Sequence, residues 1–162
     1  MGELDPLMKA KLIVETALEL KAELPIALDM RKLTAFADFF VILTGRSDRQ
    51  VRSIADTIIQ TLKARDEEPL GVEGLDDGKW VLIDCNDAIV HVFDPDTRIK
   101  YDLERLWRDA PRIDLGIPGV DPNPEREREQ GLDADLEQGG EADADGGDEL
   151  RSGEGEVGDP AA

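Results

Sequence analysis

Five consecutive apolar residues, Phe39-Phe40-Val41-Ile42-Leu43, run through Thr44-Gly45-Arg46-Ser47 into a strongly amphipathic stretch. A run of strand length with no polar alternation predicts a strand buried on both faces. Ser47 and Gln50 stand three apart, as in a capping box, where the serine accepts from a first-turn N–H and the glutamine reaches back. Val51, Ile54, Ala55, Ile58 and Leu62 then recur at i, i+3, i+4, i+7 and i+11. That spacing predicts a helix to about Arg65 with one apolar stripe. The stripe must lie on one face of the sheet, and something else must cover the other, so the unit constrains the chain to an α/β class.

The flanking sequence supplies the remaining elements. Leu7, Ala10, Ile13, Val14, Ala17, Leu18, Leu20 and Leu24 predict a helix over 7–24, with Asp5 as its cap, Pro6 at its first position and Pro25 as its stop. Residues 26–30 and 70–73 read as short strands, and Gly74 with Asp76-Asp77-Gly78 as a turn. Trp80–Cys85 and Ala88–Phe93 flank Asn86-Asp87 and predict a two-residue hairpin. In that register Val81, Ile83, Cys85, Ala88, Val90 and Val92 share one wholly apolar face. Trp80, Leu82, Asp84, Ile89, His91 and Phe93 share the other. Asp94-Pro95 opens a third helix carrying Ile99, Leu103, Leu106 and Trp107, with Arg98–Asp102 and Glu104–Arg108 as expected i,i+4 ion pairs. Pro111, Pro118, Pro122 and Pro124 mark an expected exit from the fold. The strand–helix–strand run over 39–73 implies a parallel crossover. The expectation is a mixed, roughly five-stranded sheet with three helices over residues 1–115.

The formal charge is −19 and is unevenly placed. Residues 121–162 hold 15 acids and 3 arginines, whereas 1–120 hold 23 acids and 16 bases. Leu132, Leu136, Leu150 and Val157 are almost the only large apolar residues of the tail, too few to offset its ordering entropy. Residues 116–162 therefore read as a Pro-rich exit and a disordered acidic tail. An acidic folded part argues against a nucleic-acid surface made by simple phosphate neutralisation, so no direct sequence-specific nucleic-acid binding is expected and a basic partner is favoured. The acidic Met1–Asp5 start does not read as a leader, and no run approaches the ~20 apolar residues of a membrane span. A lone cysteine, Cys85, points to a cytoplasmic or organellar setting.

Three candidate sites remain. Gly45-Arg46-Ser47 sits where phosphate cradles sit, at a strand-to-helix turn, but it lacks GxxxxGK[ST] and GxGxxG. A metal-dependent nucleotidyltransferase would use Ser47 with Asp84 or Asp87, which requires carboxylates converging on ions ~3.5–4 Å apart. A capped helix with solvated Arg46, Arg49 and Arg52 is the commoner use of such a turn. His91 has no second histidine or free cysteine at ligand spacing, so no metal or cofactor is expected. The second hairpin face mixes large rings with a histidine and a carboxylate. It is either a half-exposed patch with aromatic anchors or a surface hidden beneath a helix.

The blocks ADFFVILTGRSDRQVRSIAD, PLGVEG and WVLIDCNDAIVHVFDPDTRIKYDLERLW closely resemble the ribosomal silencing factor (RsfS, or iojap) family from about Leu12 to Trp107. Matching positions include Asp38, Gly45, Ser47, Trp80, Asp84, Asp87, His91, Tyr101, Leu103, Glu104, Leu106 and Trp107. Asp94 departs from the histidine found there in many members. The resemblance implies a nucleotidyltransferase-like topology without catalysis. It further implies binding to the large ribosomal subunit through large-subunit ribosomal protein fourteen, obstruction of subunit joining, and lowered translation under nutrient limitation. It permits a homodimer. Trp80, Leu82, Ile89, His91, Phe93, Tyr101 and Trp107 are the expected partner-binding residues.

Overall fold

A computed structural model of the chain describes residues 4–124. The element order is α1 (Pro6–Glu19), β1 (Glu23–Asp29), β2 (Phe39–Thr44), α2 (Asp48–Ala64), β3 (Gly71–Glu73), β4 (Trp80–Asp84), β5 (Ala88–Phe93), α3 (Pro95–Tyr101) and α4 (Leu103–Leu106). The strands form one mixed sheet in the order β1-β2-β5-β4-β3. The expectation for the acidic tail falls on 125–162, outside the described residues. Among the described residues no helix is long and apolar enough to cross a membrane.

The βα unit forms as its sequence requires. Val51, Ile54, Ala55, Ile58 and Leu62 are all fully buried. With Ala10, Ile13, Val14 and Ala17 of α1 they cover the sheet face made by Val41, Leu43, Val81, Ile83, Cys85, Ala88, Val90 and Val92. The hairpin register is also as read: Trp80 faces Phe93, Leu82 faces His91, and the Cys85 N–H donates to the Ala88 carbonyl across the turn. Asn86 takes φ +77°, a left-handed conformation that asparagine tolerates better than most residues.

Four expectations are corrected. Helix α1 stops at Glu19, five residues before the predicted end, and Leu24-Pro25 lies inside β1. The residue before a proline is pushed out of the helical region. Proline also lacks a ladder donor, so the β1–β2 register slips between Glu23 and Ile26 at a strand end on the sheet edge. Second, the parallel neighbour of β2 is β5, not β3. The six-residue β5 is buried enough for the centre. Gly71 and Glu73 of the short β3 are exposed, and short edge strands resist edge-to-edge pairing.

Third, the third helix breaks at Asp102, which takes φ +47°, leaving a separate single turn, α4. Its two expected ion pairs are replaced by one buried pair, Arg98 Nη2 to Glu104 Oε2 at 2.9 Å. Fourth, the chain does not leave the fold at Pro111. The Asp29 N–H donates to the Pro111 carbonyl, the Ile113 N–H donates to Ala27, and Arg112 bridges Leu28. The open edge of β1 is thereby capped, which satisfies backbone groups that an edge strand leaves unpaired.

A buried lysine ties the far end of the domain together. Lys9 Nζ donates to Glu67 (2.7 Å), Asp87 (2.9 Å) and the Cys85 carbonyl (3.2 Å), joining α1 to the chain after α2 and to the β4–β5 turn. Burial works against its charge, but the bonds to Glu67 and Asp87 outweigh it and hold the ammonium above its ordinary pKa. The Lys9 bond holds the Glu67 carboxyl below its ordinary range.

Candidate functional site

The second sheet face is divided. Ile26, Leu28, Met30, Ile42 and Phe93 pack under Leu103 and Ala110, so the α3–α4 segment and the turn beyond it cover this half. The side chains of β4 and the start of β5 on the same face have less cover: Trp80, Leu82, Asp84 and Ile89 are half-buried. Neither sequence alternative describes the whole face. A helical segment seals one half, and the other half is left as a flank of large side chains.

Aromatic contacts tie that flank together. The Trp80 ring lies 5.0 Å from Phe93 and 4.8 Å from Tyr101 between centroids. Phe40 meets His91 edge-on at 4.9 Å and Trp107 edge-on at 5.9 Å. Such offset and edge-to-face pairs add about 0.5–1.5 kcal/mol each beyond their burial. Of the seven expected partner-binding residues, Trp80, Leu82, Ile89 and Trp107 are half-buried and Tyr101 is 47% exposed. His91 is 5% exposed and Phe93 fully buried, so these two form a floor beneath the more exposed side chains. Phe40 belongs to the cluster and was not singled out in the sequence. Strand alternation puts it on the Ile42 face, but only the parallel β2–β5 register, where Phe40 pairs with Ile89, brings it to His91.

Hydrogen bonding fixes the histidine. The Trp80 indole Nε1–H donates to His91 Nδ1 at 3.1 Å, which makes Nδ1 an acceptor and places the ring proton on Nε2. Burial pushes the His91 pKa down to about 4. At neutral pH the ring is therefore uncharged.

Arg98 anchors the covering segment. It donates to the Leu24 carbonyl (2.6 Å), Thr44 Oγ1 (2.7 Å) and Glu104 (3.0 Å), binding α3 and α4 to the ends of β1 and β2. Asp94 caps α3 by accepting from the Thr97 N–H at 2.8 Å, so aspartate serves this start well.

The strand-to-helix turn is committed elsewhere. Ser47 Oγ accepts from the Gln50 N–H at 3.1 Å, while Gln50 accepts from Arg46 N–H and donates to the Leu20 carbonyl. Arg46 pairs with Glu23. Ser47 follows the Thr44 end of β2, whereas Asp84 and Asp87 lie at the opposite end of the hairpin, beside the Phe39–Ala88 pair. Six residues of β5 separate the two ends, ~16 Å at the rise of a strand. The structure therefore does not bring Ser47 together with either aspartate. Asp87 is bonded to Lys9, and Asp84 accepts from the Asn86 N–H. Among the described residues no group of three or more His, Cys, Asp or Glu side chains is placed to hold a metal.

A family model described as "Ribosomal silencing factor during starvation" (RsfS) matches residues 4–142, beyond the Trp107 limit of the quoted blocks. The ribosomal silencing factor RsfS of Halalkalibacterium halodurans is 41% identical over 105 residues, covering 65% of this chain and 90% of that protein. The RsfS of Bacillus subtilis is 44% identical over 95 residues, covering 59% and 80%. A crystal structure of a Chromobacterium violaceum protein superposes with a TM-score of 0.64 at 33% identity, covering 74% of this chain and 98% of that one. With most of its length matched by the family pattern, the chain belongs to the RsfS family of ribosomal silencing factors.

Proposed function

We propose that this chain is a ribosomal silencing factor that docks on the large ribosomal subunit through ribosomal protein fourteen and blocks joining of the small subunit by occupancy. The single observation that carries the reading is the uncovered half of the sheet face. Trp80, Leu82, Ile89, Tyr101 and Trp107 form its contact surface, and His91 and Phe93 support it from below. Aromatic anchors packed in place before binding lose little freedom on docking, which is where interface energy concentrates. The acidic charge of the domain suits a basic ribosomal protein and steers the encounter. A nucleotidyltransferase-like topology then serves as scaffold, and docking requires no catalysis. The site of action is cytoplasmic, in response to scarce nutrients, and self-association through the same flank would compete with docking.

A subunit-joining assay tests this. Added to separated small and large subunits, the full chain should hold them apart on a sucrose gradient. A Leu82→Glu variant, with a charge on the uncovered flank, should let them join. Normal joining in the presence of excess wild-type protein would end the proposal.

A further inference from the structure

We propose that the groove over α3 and α4 is a contact for the RNA phosphate backbone, used once the protein is docked; this rests on the large-subunit reading above. The groove, about 630 Å³, is lined in part by Lys100, Arg105 and Arg108 around exposed Ile99, Tyr101 and Leu106. None of the three bases belongs to an ion pair among the described residues. The reason is visible in the fold: Glu104, the expected partner of Arg108, is turned inward to Arg98, which the left-handed Asp102 makes possible. Three bases without an ion pair among the described residues therefore gather on one short segment of a domain whose residues 1–120 carry seven more acids than bases.

Asp102 and Asp109 also line the groove and reduce its net charge to about +1. That is too little to capture free nucleic acid against the charge of the whole domain, as the sequence argument against a surface made by simple phosphate neutralisation requires. It is enough to contribute where docking has already brought phosphates close. Repulsion elsewhere and attraction here would fix the orientation of the docked protein. Tyr101, 47% exposed, packed on Trp80 and with Lys100 Nζ 5.5 Å from its ring centroid, marks the border between this groove and the docking flank.

The test measures affinity of the full chain for purified large subunits at 50 and 200 mM KCl. The comparison is a Lys100→Gln, Arg105→Gln, Arg108→Gln triple variant. Loss of three phosphate contacts lowers the salt slope, so wild-type affinity should fall about 20- to 40-fold more than the variant's across that range. Equal slopes overturn the proposal. So does tighter binding by the variant, the result expected if the groove faces a basic protein. A benzophenone side chain at position 99 separates an acidic protein from RNA: a crosslink to ribosomal RNA is expected, and one to protein alone overturns the assignment. Leu82→Glu should weaken binding with its slope unchanged. If Leu82→Glu binds normally while the triple variant loses slope, the docking flank is wrong and the groove stands. Absence of any wild-type binding overturns both.

Discussion

Acidification should expose the role of His91. Its ordinary pKa of 6.5 is pushed down to about 4 by burial. Between these values the unfolded chain binds a proton that the folded chain refuses. Stability contributed by the neutral ring is therefore complete above pH 6.5 and is lost as pH falls toward 4. That difference corresponds to about 3 kcal/mol in full, of which about 2 kcal/mol is gone by pH 5. The structural cause is specific. The ring is 5% exposed among Phe40, Trp80 and Phe93, and its Nδ1 accepts from the Trp80 indole. Protonation would set a new N–H against that donor. Urea unfolding of the full chain from pH 7.5 to 4.5, beside a His91→Phe variant that cannot titrate, isolates the effect from carboxylates common to both. The difference between the two curves should approach one proton per molecule near pH 5. Parallel loss in both proteins, or a His91 ring titrating near 6.5 by NMR, would refute the reasoning.

The other predictions concern parts of the scaffold. Arg98→Met should cost about 3–5 kcal/mol in thermal or urea unfolding, because Glu104 would be left as an unpaired buried charge. Adding Glu104→Leu to that variant should recover much of the loss, and no recovery would mean that the Leu24 and Thr44 bonds matter more than the pair. Gly74→Ala should destabilise by at least about 1 kcal/mol, since φ is +89° and a methyl there would run into the Trp80 carbonyl; an unchanged midpoint would count against this backbone path. Burial pushes the Cys85 thiol up to about 12, so iodoacetamide at pH 8 should label it only after unfolding. Rapid labelling of the native protein would contradict the packing around it.

The parts of the fold legible in the sequence are those governed by local periodicity. The α2 stripe, the turn at Asn86-Asp87 and both faces of the hairpin follow from spacings of 3.6 and 2. What escaped prediction depends on contacts distant in sequence. Strand order was not readable, because Phe39–Leu43 does not specify whether β3 or β5 lies beside it. Helical spacing carried α1 through Leu24, where the proline and the sheet edge decided otherwise. The Arg98–Asp102 and Glu104–Arg108 pairs were reasonable for a continuous helix, and the left-handed Asp102 replaced both with one buried pair. The candidate flank was half legible. Alternation gathered Trp80, Leu82, Ile89, His91 and Phe93 on one face, but covering by Leu103 and Ala110 buried Phe93, and Phe40 entered only through the parallel register.

Affinity for purified large ribosomal subunits tests the central claim most directly. Sedimentation of full-length wild type beside Trp80→Ala and Leu82→Glu, each checked for an intact fold by circular dichroism, would give the comparison. An anchor at an interface centre is worth about 2 kcal/mol or more, so both variants should bind about 30-fold more weakly than wild type. Folded variants that bind as tightly as wild type would contradict the account.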